Sequence, residues 1–469
     1  MSLISVNNLT FGYDGSLKNI FENVSFNIDT DWKLGLIGRN GKGKTTFLKL
    51  LLGKYEYQGA ISKNVEFDYF PFEVKNKERM AIEIVNEIAP NVEDWEIIRE
   101  LNLLNTDTEV LYRSFNLLSG GEQIKILLIS LFLKGNNFLL IDEPTNHLDI
   151  ETRNNLVNYL EKKKGFILVS HDRNFLDKVV NHIISINNTN IEIQQGNFSS
   201  WKENKNRQDN FEKIQNERLQ KDINRLEIAS KNCAKWSNEA EKTKNKKYNS
   251  ETTIDKGYIG HKADKMMKKS KVMEQRIEKA INEKTNLLKN IEVNDTLKII
   301  PLKSNKNPLI FAHNLQIKYS KETIFNPITF EVNNGDRVAL IGKNGIGKSS
   351  ILKLILGEEL QYNGEFMVAN DLKISYVSQS TEDLKGNLRT FAYDNKINES
   401  IFKAMLVKMG LSQFDFDTNI QDMSEGQKKK VLIAKSISEQ ANIYIWDEPL
   451  NYIDILTREQ IEDAILNYN

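Results

Sequence analysis

GLIGRNGKGKTTFLKLLLG (residues 35–53) decides the fold, because it recurs as ALIGKNGIGKSSILKLILG at residues 339–357. Two later blocks repeat in the same order. LSGGEQIKILLIS (118–130) returns as MSEGQKKKVLIAK (423–435), and FLLIDEPTNHLD (138–149) returns as IYIWDEPLNYID (443–454). Three matched blocks in one order mark a duplicated domain with a period of about 300 residues. In each copy a β-rich run, VSFNI (24–28) or ITFEV (328–332), precedes the glycine loop, and a run with helical apolar spacing follows it. FLLID and IYIWD read as buried sheet strands. Strand, loop, helix and buried strand in this order predict an α/β fold with helices packed on a sheet. The two copies are expected at 1–200 and 306–469.

Between them, 201–305 reads as a linker. Its segments 202–245 and 262–292 are rich in Lys, Glu, Asn and Gln and free of proline. Phe211, Ile214, Leu219, Ile223 and Leu226, spaced by three to five residues, predict one apolar helical face. Two long helices in an antiparallel hairpin are expected, a helix of roughly 40 residues spanning ~60 Å at 1.5 Å per residue. The turn is expected in NSETTIDKGYIG (249–260). The chain carries no net charge, yet residues 201–290 hold 23 Lys and Arg against 14 Asp and Glu. That surplus of nine between acidic flanks points to an anionic partner, nucleic acid first, with a solvated helix face as the alternative.

A length of 469 residues predicts two or three domains. No apolar run approaches the ~20 residues of a membrane helix, and MSLISVNNLTFGYDG lacks the pattern of a secretory signal. The single cysteine, Cys233, excludes an internal disulfide framework and suits a reducing cytosol. A cytoplasmic chain is expected.

The glycine blocks fit G-x-x-x-x-G-K-[ST], in which backbone N–H groups turn inward around phosphates and the lysine reaches the β- and γ-phosphates. Candidate nucleotide ligands are Gly38, Asn40, Gly41, Gly43, Lys44, Thr45 and Thr46, and in the second copy Gly342, Asn344, Gly345, Gly347, Lys348, Ser349 and Ser350. Thr45 and Ser349 offer a hydroxyl to Mg²⁺. Asp142 and Asp447 end apolar strands, where a carboxylate holds Mg²⁺ directly or through water. Glu143 and Glu448 follow them, placed to orient or deprotonate the attacking water.

These blocks resemble the ATP-binding cassette superfamily over nearly the whole chain, so the fold implied is two phosphate-loop cassette domains joined by a long α-helical hairpin. LSGGE (118–122) is similar to the family's signature, and MSEGQ (423–427) is a variant with Glu425 at the first glycine. In that family two cassettes pair head to tail, each ATP lying between one phosphate loop and the other signature. The resemblance implies a first site of Lys44, Thr45, Asp142, Glu143 and a switch histidine, His171, facing Ser424 and Gly426. It implies a second site of Lys348, Ser349, Gln379, Asp447 and Glu448 facing Ser119, Gly120 and Gly121. Gln379 is there an additional Mg²⁺ ligand. Tyr13 and Tyr319 are placed either to stack on adenine or to pack in the core. Three departures stand out. Phe72 occupies the first cassette's glutamine-loop position; Glu425 adds a carboxylate expected near the first site's phosphates. Asn469 lies only 15 residues after Asp454, whereas Asp149 and His171 are 22 apart, so the second cassette is expected to be C-terminally short, without its own switch histidine.

Two cassettes fused through a basic arm resemble the ABC-F translation factors. WDEPLNYID (446–454), MSEGQKKK (423–430) and KGYIGHKADKMMKKSK (256–271) are similar to the Lsa-type antibiotic-resistance branch. The resemblance implies an ATPase that closes on ATP and binds the 70S ribosome. Its arm would reach the exit site beside P-site transfer RNA and displace lincosamides, pleuromutilins and streptogramin A compounds from the peptidyl-transferase centre. The arm residues expected at ribosomal RNA are Lys246, Lys247, Tyr248, Tyr258, His261, Lys262, Lys265, Lys268 and Lys269. A monomer pairing its own cassettes, with no membrane partner, is implied. A housekeeping factor of the same group is the alternative; a transporter or DNA-associated subunit is a more distant one.

Overall fold

The computed structural model describes residues 3–13, 19–135, 137–146, 148–187, 190–244, 296–319, 322–323 and 325–467, with 265, 268–269, 271–273 and 275–280 of the linker. It divides into two compact units, Met1–Trp201 with Asn294–Asn469, and Lys202–Val293. No helix among the described residues is long and apolar enough to cross a membrane.

The first cassette holds two sheets. β1 (Leu3–Phe11) pairs antiparallel with β2 (Phe21–Asp29) and with β4 (Gln58–Ser62). The larger sheet has the order β5–β6–β7–β3–β8–β9, made of β3 (Lys33–Ile37), β5 (Glu66–Phe70), β6 (Asn137–Asp142), β7 (Phe166–Val169), β8 (His182–Asn187) and β9 (Asn190–Gln195). Its ladders are parallel except β8 with β9. Leu34 and Leu36 of β3, Leu140 and Ile141 of β6, and all four residues of β7 are buried. A parallel strand covered on both faces has no solvent side, so continuous apolar runs are what it requires. The C-terminal ends of β3, β6 and β7 lie side by side, with Leu36 opposite Val169 and Asp142 opposite Val169. The phosphate loop, Asp142–Glu143 and His171 therefore emerge at one sheet edge, where open α/β sheets take ligands.

The helical part of this cassette includes α1 (Lys44–Leu51), α2 (Ala81–Ile88), α3 (Asp94–Leu103), α4 (Gly120–Leu133), α5 (Ile150–Leu160) and α6 (Arg173–Val179). Glu100 of α3, buried, accepts hydrogen bonds from Tyr159 Oη (2.8 Å) and Lys163 Nζ (2.5 Å). This polar cluster ties α3 to α5 inside an otherwise apolar layer.

The second cassette repeats the antiparallel sheet: β10 (Ile310–Tyr319) pairs with β11 (Glu322–Thr323), β12 (Ile328–Val332) and β13 (Gln361–Val368). Its parallel part is β14 (Ile374–Val377) beside β15 (Ile443–Trp446). The expectation of a buried IYIWD strand is met only at Ile445, the rest being half-exposed. β6 has a strand on each side, whereas β15 has one among the described residues. Residues 336–343 form no strand there, and Val338 and Ile341 are 58% and 74% exposed. The counterpart β3 takes its ladder from β7 and β8. Helices α8 (Lys348–Ile355), α9 (Leu388–Asp394), α10 (Glu399–Lys408), α11 (Glu425–Ser438) and α12 (Ile455–Leu466) complete this cassette.

The chain leaves the first cassette on α7 (Phe198–Lys244), a single helix of 47 residues, or about 70 Å. The second arm is helical at 265, 268–269, 271–273 and 275–280. The predicted turn, with Lys246, Lys247, Tyr248, Tyr258, His261 and Lys262, lies outside the described residues; Lys265, Lys268 and Lys269 are helical and exposed. One apolar face was expected from Phe211 to Leu226, and the structure divides it. Ile223 is buried and Leu219 and Leu226 half-buried, but Phe211 and Ile214 are 61% and 50% exposed. The five-residue step from Ile214 to Leu219 turns about 140° past a full rotation, which takes the first pair off the face of the other three.

Candidate functional site

The first phosphate loop runs from the end of β3 into α1. Gly41 and Gly43 have φ of 79° and 94°, a region open to glycine. A Cβ at Gly43 would meet Ile20 Cγ2 at 2.5 Å, whereas one at Gly41 meets nothing and would enter the open cradle. Lys44 is buried, and its Nζ donates to Gly38 O (2.8 Å), Arg39 O (3.3 Å) and Asn40 Oδ1 (3.3 Å). Burial lowers its pKa, against the raising pull of Asp454 and Glu143. Thr46, also buried, shares a 2.9 Å hydrogen bond with Tyr13 Oη. Tyr13 is 45% exposed with its ring edge-on to Phe11 and Tyr55, so it flanks the loop and is not core.

Thr45 Oγ1 donates to Asp142 Oδ2 at 3.2 Å, and Tyr69 Oη donates to the same oxygen at 2.9 Å. Burial raises the Asp142 carboxyl, as expected for an anion buried where its compensating charge is only partly supplied by the protein. A hydroxyl and a buried carboxylate beside a phosphate cradle are the oxygen donors a Mg²⁺ on a nucleotide takes, so the residues present fit that ion. Glu143 adopts φ of 51°, a strained backbone for a side chain of this size. Its Oε1 lies 3.2 Å from His171 Nε2, and neither carboxylate oxygen has an aligned hydrogen bond among the described residues. Burial, with Asp142 beside it, pushes the Glu143 carboxyl up to about 8. Burial and the Lys44 ammonium hold His171 well below its ordinary value, so the imidazole is neutral.

The second cassette closes on this loop. Asn40 Nδ2 donates to Tyr452 O (2.7 Å) and Asn40 N to Asp454 Oδ2 (3.4 Å). Asp454 is fully buried, 2.6 Å from Lys430 Nζ. A Cβ on Gly426 would collide with Asn40 Nδ2, which places the second signature against the first phosphate loop. Ser424 caps α11, its Oγ accepting from Gln427 N at 3.3 Å. Arg458 Nη1 donates to the carbonyl of His171 (2.8 Å), and Arg173 pairs with Glu462 (2.8 Å). The Glu425 carboxylate accepts from Thr381 Oγ1 and from Lys428 Nζ (3.1 Å) in its own cassette. The short Thr381 hydroxyl captures it.

The second site is built alike but lies more open. Gly345 and Gly347 have φ of 77° and 97°. Lys348 Nζ donates to Gly342 O (2.8 Å) and Lys343 O (2.9 Å), and Ser349 Oγ donates to Asp447 Oδ2 (3.2 Å). Ser350 is buried behind them, while Asn344 is exposed in the loop. Glu448, with φ of 45°, accepts from Gln379 Nε2 and Asn451 Nδ2, each at 2.8 Å. Gln379 thus meets the candidate base through its amide nitrogen. One contact across to the first cassette is an exposed pair, Lys343 with Glu151 at 2.8 Å. Ser119 caps α4 through Glu122, Gly120 faces open space, and Gly121 has Thr152 and Leu148 of its own cassette as neighbours. Tyr319 ends β10 opposite Glu322; its side chain lies outside the described set.

Sequence reasoning missed Tyr69, Lys430, Asp454 and Arg458. The repeat carried a signal for each, since Tyr69, Lys125, Asp149 and Arg153 match Tyr376, Lys430, Asp454 and Arg458 in the aligned blocks and the residues flanking them. Matching alone says that a position is shared, not which cassette it serves.

The fold and its two phosphate-loop sites define a paired-cassette ATPase. A family model described as "ABC transporter" matches residues 21–146 and 325–451, and the chain belongs to that family. ATP-binding protein Uup of Buchnera aphidicola is 29% identical over all of this chain and 76% of its own length. Ribosome protection protein VmlR of Bacillus subtilis is 28% identical over 97% of this chain and 81% of its own. ABC transporter F family member 2 of Arabidopsis thaliana, 23% identical over 99% of this chain and 73% of its own, extends the likeness to the F group, with which the two cassettes and helical arm are consistent. Among solved structures, the archaeal ribosome recycling factor aABCE1 aligns with a TM-score of 0.60 at 19% identity, over 97% of this chain and 81% of that one, a likeness of fold.

Proposed function

We propose that this chain is an ABC-F ribosome protection factor of the cytoplasm. In this reading ATP closes its two cassettes on each other, the closed form binds the 70S ribosome, and the linker arm displaces drugs from the peptidyl-transferase centre. The supporting observation is that the likeness to a ribosome protection protein spans 97% of the chain, arm included. The basic surplus of the arm, with Lys265, Lys268 and Lys269 exposed, suits contact with ribosomal RNA and P-site transfer RNA.

In this reading each site binds ATP through its glycine loop and lysine, with Thr45 and Asp142, or Ser349 and Asp447, holding Mg²⁺. That ion would neutralise charge on the β- and γ-phosphates. Glu143 in its ionised form takes the proton of the attacking water, with the neutral His171 ring 3.2 Å from it; Glu448 is the base of the second site, oriented by Gln379 and Asn451. Asn40, Gly426 and Asp454 meet only when the cassettes are paired, so nucleotide bound among them favours the closed state by differential binding. One molecule supplies both halves, and a monomer suffices.

The test is co-sedimentation of the Glu143→Gln, Glu448→Gln protein with bacterial 70S ribosomes. ATP-dependent pelleting is expected; no pelleting of a folded, ATP-bound protein overturns the ribosomal reading. Expression in a drug-sensitive host then separates protection from a housekeeping role: raised tolerance to lincosamides, pleuromutilins or streptogramin A is expected.

A further inference from the structure

The signature helix of the second cassette is bolted to the glutamine loop of the same cassette, and among the described residues the first cassette has no such tie. Lys429, buried in α11, donates its ammonium to Ser378 O (2.8 Å), Gln379 O (3.4 Å) and Asp447 O (3.2 Å). One turn earlier Glu425 takes the Thr381 hydroxyl. Two side chains of one helix thus hold both ends of the segment 378–381. At the aligned positions the first cassette has Ile124, Gly120 and Phe72 for Lys429, Glu425 and Gln379. None of these can make such bonds.

The two ends of α11's grip serve different sites. Gln379 donates to Glu448, the candidate base of the second site. Gly426, next to Glu425, abuts Asn40 of the first phosphate loop. We infer that the two ATP sites are energetically coupled through the second cassette, by a latch in which Glu425 and Lys429 join the 378–381 loop to the signature facing the first site. Whatever changes the partner of Glu448 shifts Gln379, and the latch carries that shift into α11 and so to Asn40. The contacts form an unbroken chain, Glu448 to Gln379 to Thr381 and Glu425 to Gly426 to Asn40, within one compact unit. By linkage the coupling is reciprocal, so nucleotide in the first site strengthens or weakens the second by the same factor.

The inference rests on Lys44 and Lys348 marking two ATP sites, as proposed above. Equilibrium dialysis with Mg²⁺ and a non-hydrolysable ATP analogue measures it. Lys348→Ala and Lys44→Ala give the affinity of each site alone, and the unaltered chain gives both together; the ratio of the products is the coupling factor. A factor of at least about fivefold is expected in the native chain. It should fall to within about twofold of unity in Thr381→Val, a near-isosteric change that leaves both phosphate loops intact, and equally in Glu425→Ala. A factor near unity in the native chain, or one unchanged by Thr381→Val and Glu425→Ala, overturns the latch. If the native chain binds the analogue at fewer than two sites, the two-site assignment itself falls, and the latch with it.

Discussion

Asn40 of the first phosphate loop donates its side-chain amide to the carbonyl of Tyr452, 2.7 Å away in the other cassette. The two residues are 412 positions apart, and Tyr452 presents that carbonyl from a φ of 61°. Tyr452 thus sits in a sparsely populated backbone region at the point where the second cassette touches the first phosphate loop.

Gly426 is the pivot of that contact. A Cβ would lie 2.6 Å from Tyr452 O and collide with Asn40. Gly426→Ala should lower ATP turnover about tenfold by forcing the cassettes apart, with a higher KM for ATP and an unchanged melting temperature for the first cassette. Steady-state ATPase assays with differential scanning calorimetry check both parts.

Glu143 and Glu448 carry the proposed chemistry. Each Glu→Gln change should cut its own site's turnover by about 10²–10⁴, the usual contribution of a positioned base, while leaving ATP affinity within threefold or so. Single-turnover hydrolysis beside equilibrium binding reads the two quantities separately; equal losses in both would make the carboxylate a binding group.

Asp454 is held by Lys430 in a buried ion pair. Burial pushes its carboxyl up, and the Lys430 ammonium outweighs that and holds it well below the usual range. Asp454→Ala strands the ammonium, and should cost the second cassette about 3–5 kcal/mol. Urea unfolding followed by Trp446 fluorescence should show an earlier transition for that cassette.

Glu100 sets an acid limit on the first cassette. Burial pushes its carboxyl up, but the hydrogen bonds from Lys163 and Tyr159 win and hold it below the ordinary value. A carboxyl lowered on folding stabilises above its unfolded pKa of about 4.3, and that stability is lost as pH falls through the lower, folded value. Glu100→Gln should therefore lower the melting temperature near neutrality and flatten its decline below about pH 4.3. A parallel decline in the variant and the native chain would count against it.

Leu36 and Leu340 hold the same place in the repeat, yet Leu36 is fully buried and Leu340 is 40% exposed. Leu36→Ala should cost about 3 kcal/mol and Leu340→Ala under about 1 kcal/mol, measured as shifts in urea midpoint.

The sequence by itself determined the duplicated α/β design, both phosphate loops and the carboxylate pairs at the strand ends. Those are local devices: a glycine loop needs glycines at fixed spacing, and a strand buried on both faces needs an apolar run. The helical arm was legible for the same reason, though the phase slip after Ile214 was visible only once each residue was turned through its own angle on the helix. What the tertiary structure decided was which residues meet across hundreds of positions. It brought Asn40 to Tyr452 and Asp454, set Arg458 on the carbonyl of His171, and gave Glu425 the Thr381 hydroxyl as a partner. No local pattern encodes these contacts, because each depends on how two separately folded cassettes face one another and on which of several partners a flexible side chain reaches first. The exposed run at 338–341 makes the same point, since the same apolar motif is buried in the first cassette and exposed in the second.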